Sequence, residues 1–210
     1  MRIAMVTDSY RPTMDGVVTA LLAQKKALED LGHTVYVFAP DPGEGFREEG
    51  VYYVGGKRFK TYPDYCVPYG RSHFKRIMRE LKIDIVQIYG MALMAMKGIK
   101  AARKLHIPVV LTYVTNVLDV MQYYSPIKRV PLKWQIGFVK RYLRWIMRKP
   151  DILILLTPES RRDMEGNGIT NRRVEILPMC IDLVRFNESY DGTAVRERYG
   201  LEGKRVVINV

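Results

Sequence analysis

The 210-residue sequence has only two cysteines, Cys66 and Cys180, far apart in the chain. Neither lies in a CxxC or near a histidine cluster, which excludes a disulfide framework and a structural zinc site and leaves both thiols as buried or idle. Histidine is scarce as well, with three residues, His33, His73 and His106. His33 and His106 sit in turns at the amino ends of expected strands and His73 lies in a helical region, so no hydrolytic triad is present. There is no GxGxxG dinucleotide fingerprint and no P-loop. No Asp-x-Asp pair occurs, so a metal held by two carboxylates is not supported. No apolar stretch approaches the roughly 20 residues of a membrane span. The apolar run Ile3 to Val6 is broken at once by Asp8, which does not read as a signal peptide and places the chain in the cytoplasm. Low-complexity tracts and internal repeats are absent.

Acidic side chains are under-represented. Lys and Arg number 34 against 22 Asp and Glu, a formal net charge of +12. Such an excess points to an acidic partner: nucleic acid, an anionic membrane surface or a phosphorylated small molecule.

What is present is an alternation of apolar runs and helical periodicities. Arg2 to Thr7, Thr34 to Ala39, Val51 to Val54, Ile83 to Tyr89, Val109 to Tyr113, Asp151 to Leu156 and Val174 to Leu177 read as strands. Val17 to Leu31, Arg71 to Leu81, Met91 to Leu105, Pro131 to Arg148 and a segment opened by Pro158 read as helices. The Tyr-, Pro- and Gly-rich stretch Gly55 to Gly70 reads as loop. This pattern predicts an α/β fold, a Rossmann-like, doubly wound parallel sheet covered on both faces. Residues 1–177 form that domain. Residues 178–204 read as a linker with a short helix at Thr193 to Tyr199, and 205–210 begin a new apolar strand belonging to a further domain.

In such sheets ligands bind beyond the carboxyl ends of the strands. Those ends carry Asp8-Ser9-Tyr10, Tyr89-Gly90, Thr112 to Asn116 and Thr157-Pro158-Glu159. They are rich in hydroxyls and poor in charge, which suits a polyhydroxylated ligand such as a sugar; ordinary capping and turn roles explain the same residues. Gly16, at the start of the first helix, would let a phosphate approach the free backbone N–H groups there. Helix capping accounts for it equally well.

The helix from Pro131 is the most distinctive segment. Leu132, Ile136, Val139, Leu143, Ile146 and Met147 share a face that should pack on the sheet. Trp134, Phe138 and Trp145 form a second stripe with Tyr142 at its edge. Lys133, Lys140, Arg141, Arg144 and Arg148 lie between the two, and no acidic residue occurs from Lys128 to Lys149. Basic residues beside exposed aromatics suit an anionic membrane interface, with Trp134, Phe138, Lys140, Arg141, Arg144, Trp145 and Arg148 as its contacts. The alternative is that the aromatics pack under a neighbouring loop. Nucleic acid ranks lower as a partner, because no recognised nucleic-acid motif accompanies the patch.

Asp8, Tyr10, Pro12, Gly16 and Val17 fit an Asp-x-Tyr-x-Pro…Gly-Val pattern. With DIVQIYG at Asp84 to Gly90, VVLTYVTNVLDVMQYYSP at Val109 to Pro126, ILLTPESRRDMEGNGI and VEILPMCIDLVRFN, the chain resembles the N-terminal half of family 4 glycosyltransferases. The similarity is strongest to those that glycosylate diacylglycerol or phosphatidylinositol. The resemblance implies a two-domain GT-B enzyme, retaining and needing neither metal nor other cofactor, whose nucleotide-sugar donor is held mainly by a C-terminal domain, on the same or a separate chain. It implies that Gly16 lies near the donor phosphates and that Tyr10, Thr115 and Asn116, with Asp8, line the side that takes a sugar or lipid acceptor. It also exposes departures. The family histidine of the Thr-Tyr-His-Thr segment falls on Val114, which cannot move a proton or hydrogen-bond a sugar. The family His-x-His falls on Gln87 and Tyr89. The chain alone is therefore expected to be inactive. The other reading is a catalytically silent module that docks on an anionic membrane or a partner protein, at the inner face of the membrane.

Overall fold

In a computed structural model of the chain, continuous apolar runs become the strands of one sheet. Residues 1–43, 45–58, 66–69, 72–118, 131–179, 187 and 189–207 are described. They fall into two compact units, Met1–Cys180 and Ile181–Val210.

In the first unit, β1 (Arg2–Thr7), α1 (Gly16–Asp30), β2 (Thr34–Pro40) and β3 (Val51–Val54) build one wing. The other wing comprises α2 (Phe74–Glu80), β6 (Ile85–Tyr89), α3 (Leu93–Leu105), β7 (Val109–Tyr113), α4 (Leu132–Ile146), β8 (Ile152–Leu155), α5 (Pro158–Gly166) and β9 (Val174–Ile176). Between the wings, β4 (Lys57–Arg58) and β5 (Cys66–Val67) pair antiparallel. Within the stretch read from sequence as loop, this ribbon is too short and too polar to carry a periodic signal. The seven-stranded sheet runs β3-β2-β1-β6-β7-β8-β9, and every pair in it is parallel. Strand order reverses between β1 and β6, so the carboxyl ends of those two strands flank the topological switch point.

Central β1 shows how the sequence selects its faces. Its side chains alternate across the sheet: Ile3 and Met5 enter the core beneath α1, whereas Ala4 and Val6 enter the core beneath α2, α3 and α4. Both faces are buried, which is why β1 reads as an unbroken apolar run instead of an alternating one. The larger core includes an edge-to-face contact between Phe38 and Phe74, centroids 4.8 Å apart. α3 packs over β1 and β6 through Met94, Ala95, Gly98, Ile99, Ala101 and Ala102. A Cβ at Gly98 would stand 3.1 Å from the Val6 Cγ2, so this glycine sets the helix-to-sheet distance. α4 buries Leu143 and Ile146 on the same face, with Met147 just past its end.

In the second unit, α6 (Thr193–Tyr199) is closed at its amino end by the Asp191 carboxylate, which accepts the Thr193 backbone N–H at 2.9 Å. Gly200, at φ +60°, terminates it. Residues 205–207, read as the start of a strand, carry no strand structure, and 208–210 lie outside the described residues, as do 180–186 of the linker.

Overfilling the α3–β1 contact is expected to be costly. Gly98→Val should lower stability by about 1–3 kcal/mol, read as a lower urea midpoint at unchanged slope. An unchanged midpoint would mean that α3 is free to ride away from Val6.

Candidate functional site

The carboxyl ends of β1 and β6 converge on Asp8. Its Oδ2 accepts the Ala92 N–H at 2.8 Å and its Oδ1 accepts the Met94 N–H at 2.9 Å. Asp8 thus caps α3 from another strand, satisfying N–H groups that a helix start leaves without internal partners. Burial pushes the carboxyl up to about 6, and the two backbone N–H groups oppose the rise. Gly90 sits against it at φ +96°, and a Cβ there would be 2.7 Å from Asp8 Oδ2. Only glycine meets both the conformation and the close approach. From α4, the Tyr142 hydroxyl donates to the Met91 carbonyl in the same loop. Burial, and then the Asp8 charge, push the Tyr142 phenol up to about 12.

The loop after β1 is held by its own polar groups. Thr7 Oγ1 donates to the Ser9 carbonyl at 2.7 Å, and Ser9 Oγ donates to Asp15 Oδ2 at 3.0 Å. Asp15 Oδ1 accepts the Val18 N–H at 2.8 Å and caps α1. Gly16 follows at the first helical position, with open space where a Cβ would point. The α1 terminus therefore already carries one carboxylate beside the position read as facing donor phosphates.

Tyr10 turns inward. It is 4 % exposed, within the core beneath α1, and its hydroxyl donates to Glu48 Oε1 at 3.1 Å. Burial and the Glu48 charge push its phenol up. Beside it, the Arg47 guanidinium lies over the Tyr53 ring, and the buried Tyr53 hydroxyl has no partner among the described residues. Thr115 is exposed. Asn116 is half-buried and accepts the Tyr113 hydroxyl at 3.2 Å. Val114 is half-buried against the core beneath α1, an apolar setting for an apolar side chain. Gln87 and Tyr89 point toward the same face. The Gln87 amide donates to Gln24 Oε1 at 3.2 Å and to Thr112 Oγ1 at 3.4 Å, and the Tyr89 hydroxyl also donates to Gln24. Tyr89 edges a cavity of about 230 Å³ that Gln24, Thr112 and Met179 help line.

Of the residues selected from sequence, Asp8 and Gly16 stand near the switch point, Thr115 and Asn116 follow β7, and Tyr10 lies in the core. Sequence reasoning placed Tyr89-Gly90 at this end of the sheet and missed Tyr142, Glu48 and Gln24, which no local signal marks. Among the described residues, no three His, Cys, Asp or Glu side chains gather as a metal site. The arrangement presents hydroxyl and amide groups at the strand ends; Asp8, its carboxyl raised to about 6, is committed to the α3 terminus.

The sequence profile described as Glycosyltransferase Family 4 matches residues 14–185. The chain belongs to glycosyltransferase family 4. It is 27 % identical over 216 residues to a GDP-mannose-dependent alpha-mannosyltransferase of Mycobacterium tuberculosis, covering 99 % of this chain and 54 % of that one. It is 34 % identical over 129 residues to an alpha-monoglucosyldiacylglycerol synthase of Acholeplasma laidlawii, covering 60 % and 32 %. The chain therefore spans about half or less of these relatives. Sucrose-phosphate synthase from Thermosynechococcus elongatus shares the fold with a TM-score of 0.62 at 12 % identity, over 95 % of this chain and 52 % of that one. Anabaena HepE, solved in complex with UDP, shares it with a TM-score of 0.60 at 13 % identity, over 96 % and 50 %. The fold is the Rossmann-like half of a GT-B glycosyltransferase.

The raised Asp8 carboxyl has a definite sign in stability. A folded-state value of about 6 against 3.8 means that the folded protein binds the extra proton between these values. The Asp8 contribution is therefore largest below pH 3.8 and declines as pH rises through about 6. Asp8→Asn should remove that component, so the stability difference between wild type and variant should shift against the wild type between pH 4 and pH 7. Parallel pH profiles of the urea midpoint would contradict this assignment.

Proposed function

We propose that this chain is the acceptor-side half of a glycosyltransferase that moves a sugar from a nucleotide-sugar donor to a sugar or lipid acceptor. The family match over residues 14–185 carries the reading. A hydroxyl-rich set of strand ends at the switch point supports it. The donor would be held mainly by a second domain, beginning with residues 205–210 after a linker at 178–204, or supplied by a separate chain. Retention of configuration and independence of metal follow from the family resemblance. GDP-mannose in the name of one relative and diacylglycerol in that of another favour a nucleotide-diphosphate sugar and a lipid acceptor. Gly16 would face the donor phosphates, and Asp8, Thr115 and Asn116 the acceptor side, with Tyr10 supporting that wall from within the core.

Without the donor-binding domain, and with Val114 supplying no proton-transfer group, the chain by itself should be inactive. The test is transfer of labelled sugar from GDP-mannose or UDP-glucose to extractable diacylglycerol lipid. The chain alone should give none, and the chain joined to a C-terminal donor-binding half should give transfer. Val114→His in the joined form should raise the rate by about 10²-fold or more. No transfer from the joined protein, with or without His at position 114, would remove the enzymatic reading.

A second reading, that the chain docks on an anionic membrane at its cytoplasmic face, rests on α4. Trp134, Phe138 and Trp145 are 75, 74 and 51 % exposed. Arg141 and Arg148 beside them are exposed and Lys140 is half-buried. Arg144 is partly committed, donating twice to the Asn167 carbonyl at 2.9–3.1 Å. Among the described residues, no helix is long and apolar enough to cross a membrane. Co-sedimentation with vesicles containing anionic lipid should exceed that with neutral vesicles, and Trp134→Ser with Phe138→Ser should abolish the difference. Equal pelleting with both vesicle types would exclude membrane docking.

A further inference from the structure

A groove of about 570 Å³ runs between α3 and α4, within the roughly 300–1,000 Å³ typical of small-molecule sites. Leu93, Met96, Ile99, Trp145 and Ile146 form its apolar surface. Its rim is cationic: Lys97, Lys100, Arg103 and Lys104 from α3, and Lys149 just past α4, with no carboxylate among the lining residues. The three- and four-residue spacing puts those α3 cations along one side of the helix. Lys149 Nζ stands 4.1 Å above the Trp145 ring centroid, and Arg103 Nη2 donates to the Lys149 carbonyl at 2.9 Å.

Arg103 and Lys149 also line a second, more polar cavity of about 530 Å³, with Arg148, Thr170, Asn171 and Arg172. Its one carboxylate, Asp151, is engaged by the Val109 N–H at 2.8 Å. This cavity lies where β7 and β8 begin, at the end of the sheet opposite the strand carboxyl ends. An apolar trough thus opens, across two shared cationic side chains, into a pocket with a strong positive excess.

We propose that the α3–α4 groove and the adjoining polar cavity together seat one anionic phospholipid chain, with its phosphate among Arg103, Lys149, Arg148 and Arg172 and its acyl chain along Ile99 and Trp145. Apolar surface alone would take any hydrophobic partner; the carboxylate-free rim selects an anionic one. The phosphate end of the site lies at the opposite end of the sheet from the switch point, and binding there does not depend on sugar transfer. The site shares Trp145 and Arg148 with the face assigned to membrane docking, but it holds a single molecule, whereas docking needs a surface.

Of the chain's two tryptophans, only Trp145 lines the groove. In a Trp134→Phe background, its emission should change saturably, at one site per chain, on titration with dodecyl phosphate below its micelle concentration. Lys100→Glu with Lys149→Glu should weaken this binding by about tenfold or more, with the urea midpoint and far-UV spectrum reporting that the fold is retained. Phe138→Ser, on the outer stripe, should leave it unchanged. Equal affinity for neutral dodecyl maltoside, no saturable response, or insensitivity to the charge reversals in a folded variant would each overturn the proposal. So would tight binding of an acidic peptide without binding of dodecyl phosphate, which would assign the groove to a protein partner.

Discussion

The Asp8 carboxylate, at the end of the central strand, accepts the Ala92 and Met94 amides that open α3, and the ligand-facing end of the sheet is organised around that contact. It joins β1 to the segment after β6 across the one place where strand order reverses. Gly90 is required to leave room for it, and Tyr142 brings α4 to the same loop. The cost of holding a carboxyl in so enclosed a place shows as its upward shift. Open α/β sheets place ligands at such a point.

The protein's charge is arranged around this centre with a clear polarity. The strand carboxyl ends are rich in hydroxyls and amides, as in the Gln24–Gln87–Tyr89–Thr112 set, which suits neutral polyols. The excess of cations is concentrated instead on α3, α4 and the segments following them.

The strands and crossover helices needed no contact information to anticipate, because each buried strand announces itself as an apolar run and each crossover helix by its 3.6-residue period. The outward stripe of α4 was legible for the same reason: Trp134, Phe138 and Trp145 fall within about 40° of one another on a helical projection and roughly opposite Leu143. The site was read less well. Asp8 and Tyr10 share a motif, yet one caps a helix 84 residues away and the other fills the core. A polar residue type after a strand does not reveal which way its side chain turns, since the partner that decides it, Ala92 for Asp8 and Glu48 for Tyr10, is set by tertiary packing. The β4–β5 ribbon escaped notice because two-residue strands have no period.

The central role of Asp8 is most directly tested by residue-resolved amide hydrogen exchange under native conditions. In the wild type, the Ala92 and Met94 amides should be protected despite lying in the first turn of a helix. Asp8→Ala should release these two amides toward free-peptide exchange rates while those of Ile88 and Leu111, inside the sheet, stay protected. Unchanged protection of Ala92 and Met94 in that variant would contradict the view that this carboxylate holds the end of the sheet together.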